Sequence, residues 1–538
     1  MKKMLLKICS LAMVLTLVAC GGSDKATTDD DATTVTFAKE NDVISMDSRY
    51  ATDGMSFEMI AATMEGLMSV DADGNIIPAL AEKYEVSEDQ LTWTFHLRDT
   101  KWSNGKKLTA DDFVYAWQET ITSPDAEYNY LYTDDAASIV NAAAVLAGEK
   151  DKTELGINAV DEKTLEVKLT KAVSFFDSLM TFPVFFPVNR EFGEEQGEDY
   201  GLTPDNLLAI GPYKMTTWNK GSKIELEKNA DYWDADAVKT DKLVFNIVAE
   251  ASTAVLDFES GATDFVKLNS DLVDKYKDGE TFNTMLEGYL WYLQFNFENT
   301  TLANANIRKA LALAVDRDQL VNAVLKDGSI AAKGFVPETL ATGPDGKDYR
   351  DTADTYLTTN KEEAKALFKK GLEELGVDSL NLRLLFEGSD PAKPAAEFIQ
   401  SELTSTLEGL SVEMISQPKE NRIEMQKAGD FDVVLTRWGP DYADPTTYLS
   451  LNVTGNSYNY GKYSSATYDA TYAKAGETED LSARWQLLKD AEKIAMDDVA
   501  VSPLFQVGGA TLVNTKVSGI ETHAVSVPFI YKNVKKEK

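Results

Sequence analysis

The sequence predicts an α/β protein whose lobes are built on mixed sheets, and three stretches carry that expectation. In the first, Leu91, Trp93, Phe95 and Leu97 alternate with Thr92, Thr94, His96 and Arg98, the period of two that marks a half-buried strand. In the second, the apolar runs LNLRLLF (380–386) and FDVVLTRW (431–438) flank the helical AAEFIQSELTSTL (395–407). Strand, helix and strand in that order predict a parallel α/β unit. In the third, ANIRKALALAVDRDQLVNAVL (305–325) reads as one long amphipathic helix. No internal repeat occurs, so a solenoid is not expected, and neither is a single barrel or sandwich.

The remaining elements follow from local signals. DADGN (71–75) opens like a calcium loop, but the third acidic position and the closing glutamate are missing, so a hairpin turn is expected. Ser103-Asn104-Gly105 marks another turn. Thr109 with Asp112 three residues on starts a helix whose face continues through Phe113, Ala116, Trp117 and Thr120. KTLEVKLT (163–170) alternates as a strand, and Asn360 with Glu363 opens a helix that carries LFKKGLEEL.

The N-terminus sets the compartment. Lys2, Lys3 and Lys7 precede an apolar run over 8–19, too short to span a bilayer. Leu17-Val18-Ala19-Cys20 resembles a bacterial lipobox, in which Cys20 is lipidated and becomes the mature N-terminus. Residues 1–19 are thus expected to be a lipoprotein signal peptide and 20–34 a lipid-anchored flexible tether. The chain has 2 cysteines, Cys9 and Cys20, so the mature body is expected to hold no disulfide and to depend on its core. A formal charge of −35 repels nucleic acid and anionic headgroups.

Catalytic signals are scarce. The chain's 2 histidines, His96 and His523, and the absence of further thiols argue against zinc or nickel sites. No Gly-x-Ser-x-Gly elbow or phosphate-cradling glycine loop occurs. Ser416 and Lys419 have Ser-x-x-Lys spacing, but Pro418 interrupts the helical turn the motif requires. No cofactor, metal or enzymatic activity is expected. RWGPDYADPTTYL (437–449) stands out instead: Trp438 and Tyr442 offer flat apolar walls, Gly439 exposes backbone, and Pro440 and Pro445 stiffen the loop around Asp441. After a strand of an α/β fold, such a loop either binds a cationic group or turns the chain into the next helix.

Taken together, LAEKYEVSEDQLTWTFHLRDTKWSNGKKLTADDFVYAW (80–117), YLQFNFENTTLANANIRKALALAVDR (292–317) and WGPDYADPTTYL (438–449) resemble the oligopeptide-binding family of ABC-transporter solute receptors. The similarity runs across 35–530. It implies a two-lobe, type II periplasmic-binding-protein-like fold with an additional domain and a ligand cleft between lobes. Lobe I would comprise 35–71, 191–295 and 505–538, the additional domain 72–190, and lobe II 296–504. The implied function is capture of short peptides by a monomer, lipid-anchored through Cys20 on the outer face of the cytoplasmic membrane, and delivery to an ABC permease. A dedicated ligand within the same family is the alternative, and a secreted hydrolase the one from another class.

By this resemblance Asp441 pairs with the peptide's α-ammonium, Trp438 and Gly439 supply wall and backbone contacts, and Tyr128 comes from the opposite lobe. Thr52, Asp53 and Gly54 fall on the segment that pairs with the peptide backbone, and Trp291, Tyr292 and Asn296 near the crossover line the cleft. Gly439 stands where enterobacterial members carry cysteine, a difference expected to be harmless for backbone contact. The basic residues that meet peptide C-termini fall on Gln426 and Leu435, so C-terminal capture is not expected by the family's route; Arg437 reads first as a solvated surface arginine and second as a substitute.

Overall fold

A computed structural model of the protein describes residues 32–134, 136–388 and 391–537. The alternating stretch forms the strand Thr92–Leu97, with Trp93, Phe95 and Leu97 buried and the intervening residues part-exposed. It pairs antiparallel with Ala81–Val86 and Thr164–Lys168, and Ile157–Asp161 completes a four-stranded sheet. DADGN is the turn of a hairpin between Met68–Val70 and Ile76–Pro78. The helix Ala110–Thr122 begins as its sequence indicates: the Asp112 carboxylate accepts the Thr109 N–H at 3.1 Å. The same carboxylate accepts Trp102 Nε1 at 3.1 Å and the Arg190 N–H at 3.0 Å. Helix Lys361–Leu375 is capped by Asn360, which accepts the Glu363 N–H, and ends on Gly376 in the left-handed conformation that glycine adopts without strain.

The parallel unit is present with one more strand than expected. Leu380–Glu387 pairs in parallel with Val433–Trp438 on one side and Leu410–Gln417 on the other, with Ala392–Thr406 as the crossover helix. Leu410–Gln417 (LSVEMISQ) lies at the sheet edge and is largely open to solvent, so its polar content conceals it.

The stretch 305–325 is a correction. It is not one helix: Ala305–Ala314 stops at Val315, which is extended, and the chain resumes at Arg317–Gln319 with a wider-wound stretch, Leu320–Leu325. The buried Arg317 guanidinium donates to Ala312 O at 3.1 Å and Val315 O at 3.4 Å, satisfying carbonyls at the broken helix end, and to Pro503 O at 2.7 Å on the strand Val501–Val513. The Asp316 side chain accepts the Gln319 N–H and starts the next turn.

Among the described residues the main sheet has eleven strands. Its centre is the antiparallel pair Phe282–Phe295 and Val501–Val513, and parallel and antiparallel neighbours lie on both sides, which makes it mixed. The hydrophobic cores divide about this pair. One gathers Phe37, Trp117, Tyr213 and Tyr531, and others gather Trp291, Leu311 and Phe386 and Phe335, Tyr448 and Trp485. A buried phenylalanine such as Phe37 contributes about 2–3 kcal/mol. The described residues contain no cysteine. None of their helices is long and apolar enough to cross a membrane. The expected signal peptide, Cys20 and the expected tether through residue 31 lie outside the described residues.

The central pair contains a gap. Its register runs regularly to Leu286 opposite Gly508 and resumes at Leu290 opposite Gln506, so residues 287–289 face Val507 alone. The Gln506 side chain bridges the interruption, donating to Glu287 O at 3.0 Å and Glu338 O at 2.9 Å.

Candidate ligand-binding cavity

Strand Val433–Trp438 ends beside this gap, with Trp438 opposite Leu290. The chain then turns through Gly439 and Pro440 to Asp441, whose N–H donates to Thr447 Oγ1 at 3.2 Å. The Asp441 carboxylate accepts the Tyr130 hydroxyl at 2.8 Å, a contact across 311 positions of sequence. These groups open onto a cavity of about 200 Å³. Phe57, Tyr128, Tyr130 and Phe182 line it together with Trp438, Gly439, Pro440 and Tyr458. Residues 287–289 close one side and residues 523–526 with Pro528 another. The rings brace each other: Tyr128 lies 5.0 Å from Phe182, Tyr130 lies 5.9 Å from Tyr458, and Trp438 lies 5.0 Å from Tyr458.

Asp441 is the electrostatic centre. Screened from bulk water by these walls, its carboxyl is pushed up to about 7; the Tyr130 hydrogen bond opposes that rise and the Glu127 charge adds to it. Glu287 is paired with Lys267 at 2.6 Å. Burial holds His523 below the usual histidine range.

Of the residues singled out in the sequence, Gly54, Tyr128, Trp438, Gly439 and Asp441 meet at this cavity. Tyr442 turns away, stacking on Phe175 at 4.3 Å, and borders a recess of about 30 Å³ on the far side of Asp441. Asp53 caps the helix Gly54–Thr63, accepting the Ser56 N–H at 2.9 Å, and Thr52 is exposed beside it. Trp291, Tyr292 and Asn296 do not reach the cavity, because past Leu290 their strand enters the sheet interior. Trp291 is fully buried and stacks on Phe505 at 6.0 Å, and Tyr292 packs on Phe335 at 5.1 Å. The Asn296 amide donates to Gly429 O and Phe431 O. Gln426 and Leu435 are buried, Gln426 donating to Gln294 at 2.7 Å. Arg437 lies over the Tyr289 and Trp291 rings.

A model of the bacterial extracellular solute-binding proteins, family 5, matches residues 75–460. The chain belongs to that family. It is 32% identical to a dipeptide-binding protein of Lactococcus lactis, with 98% of each chain covered. It superposes with a TM-score of 0.79 on the substrate-binding domain of an oligopeptide ABC transporter from Bacillus anthracis, at 35% identity over 94% of this chain and 99% of that one. The oligopeptide-binding protein of Listeria monocytogenes bound to peptide also gives 0.79, at 34% identity over 94% and 100% of the two chains. The fold is the two-lobed α/β architecture of these receptors. Solute-binding proteins of this family are extracellular or periplasmic and serve transport.

In this solute-binding protein the cavity offers a carboxyl, phenolic hydroxyls and aromatic faces, a set suited to holding a cation. Among the described residues no group of three or more His, Cys, Asp or Glu is placed to hold a metal. The structure also shows site residues that the sequence concealed. Tyr130 is one, indistinguishable in EYNYLY from its neighbours, and the tail 523–528 carries no pattern at all. A glycine between Glu287 and Tyr289 inside a strand is a visible sign of close backbone approach. A Cβ on Gly288 would lie 1.8 Å from the Ala524 carbonyl oxygen. Gly288→Ala is therefore expected to cost about 1–3 kcal/mol, read as a lower urea midpoint. An unchanged midpoint would mean that the tail peels away freely. Gly439 is also tight: a Cβ there would meet the Tyr289 ring at 2.4 Å, so a larger residue requires that ring to move.

Proposed function

We propose that this protein captures short peptides between its lobes outside the cell and delivers them to an ABC permease, held to the membrane by lipid on Cys20. The observation that carries this reading is a carboxylate, Asp441, held by a hydroxyl from a distant part of the chain inside an aromatic-walled cavity. A peptide's α-ammonium is the group it fits, and backbone hydrogen bonds to the rest of the ligand give affinity without dependence on sequence. The relatives named for dipeptide and oligopeptide binding support the substrate class. We assign the aspartate and the lining residues Tyr128, Trp438 and Gly439 to ligand contact. The lobe boundaries expected from the sequence belong to the same proposal, supported by hydrophobic cores that separate about the central strand pair.

Native mass spectrometry of the protein extracted from membranes tests this. A ladder of adducts with peptide masses, released on mild unfolding, is the expected result, and a single sharp adduct would point to one dedicated ligand. Non-peptide adducts would overturn the reading. The denatured spectrum reads the chain mass, which should equal residues 20–538 plus a lipid group.

A further inference from the structure

The cavity is short of positive charge. Neither lysine nor arginine lines it, its histidine is held neutral by burial, and one of its three carboxylates, Glu287, is neutralised by Lys267. Asp441 answers a peptide's α-ammonium under the reading above. That leaves Glu127, which lines the same cavity, is exposed, and makes no ion pair among the described residues. Its charge adds a small part to the rise of the Asp441 carboxyl, which burial chiefly causes.

The local backbone explains why the two acids face one space. Glu127–Tyr132 is a 3₁₀ turn, in which side chains three residues apart eclipse and the rise is about 2 Å per residue. Glu127 therefore shares a face with Tyr130, whose hydroxyl holds Asp441, and stands about 6 Å along the axis from it. That offset is close to the reach of a lysine side chain from its own α-carbon. Two carboxylates lining one cavity repel each other, and a ligand that brings two cations relieves that repulsion. A metal ion fits poorly, since the other lining groups are mostly rings. An organic dication fits well, because Tyr128, Tyr130 and Tyr458 offer faces along its path.

We propose that Glu127 makes the cavity selective for peptides whose first residue carries a cationic side chain. The inference rests on the peptide reading: the α-ammonium binds Asp441 and the side-chain ammonium or guanidinium of the same residue binds Glu127. Selectivity then comes from charge at the first position, while the remaining positions stay permissive.

The test is calorimetric titration with Lys-Ala-Ala and with norleucine-Ala-Ala, which differs from it chiefly in charge, against the full protein and its Glu127→Gln variant. The expected result is at least tenfold tighter binding of the lysine peptide to the unmodified protein, and a ratio within about twofold in the variant. Moving the lysine to the third position should remove the dependence on Glu127. A ratio near one in the unmodified protein, or one that survives Glu127→Gln, overturns this inference and leaves peptide capture standing. Binding of neither peptide removes the peptide reading, and this inference with it.

Discussion

Asp441→Asn is expected to weaken binding of a free-amine peptide by about 30-fold to a few thousandfold. The amide keeps the shape of the carboxylate and can still accept the Tyr130 hydroxyl, so the loss isolates charge. An ammonium enclosed among Tyr128, Tyr130, Trp438 and Tyr458 would have given up its water without gaining a counter-charge. Removing one partner of such an enclosed pair costs about 2–5 kcal/mol. Calorimetry with a peptide and its N-acetylated form checks this. The free amine should gain far more than the blocked one in the unmodified protein, and the variant should treat the two alike. Equal affinity of the unmodified protein for both forms would falsify the assignment of Asp441 to the α-amine.

The second large effect is a pH dependence with opposite signs for binding and for folding. In the ligand-free protein the Asp441 carboxyl is pushed up to about 7, burial being the main cause. Below that pH a peptide must displace a proton before its ammonium can pair, so affinity should fall about tenfold per pH unit. Between pH 7 and pH 5 the loss is about fiftyfold. Above pH 8 the peptide's own amine, with a usual pKa of about 8, loses its charge, which places the optimum between the two.

Folding runs the other way. A carboxyl raised above its unfolded value contributes stability that is fully present below about pH 4 and is lost as pH rises through about 7. Asp441→Asn removes that slope. The variant should unfold alongside the unmodified protein at pH 4 and be more stable at pH 8, by at most about 4 kcal/mol. Thermal melts of the two ligand-free proteins across this range read the difference directly. Parallel curves would show that Asp441 ionises as a solvated aspartate.

Much of the architecture is legible where local chemistry decides it. The helix starts at Thr109 with Asp112 and at Asn360 with Glu363 are visible because capping involves residues three apart. The helix break at Val315 is not, because the groups that satisfy it, Arg317 and the carbonyl of Pro503, meet only in the folded state. The strand Leu410–Gln417 escapes notice for a different reason: an edge strand open to solvent needs little apolar content. The same division holds for the cavity. The loop after Trp438 declares itself by concentrating rings, prolines and an aspartate. Its partner Tyr130 and the covering tail 523–528 lie far away in sequence, and no spacing links them to it.

The gap at residues 287–289 has a mechanical consequence. A hydrogen-bonded ladder resists bending, and its stiffness is lowest where pairs are skipped. Rotation of one half of the long strand against the other is therefore cheapest between Leu286 and Leu290. That fulcrum is also part of the cavity wall, since Glu287, Gly288 and Tyr289 all line it. A ligand held in this cavity would press on the pivot itself, not on a remote jaw, so the same atoms would set occupancy and the angle between the halves.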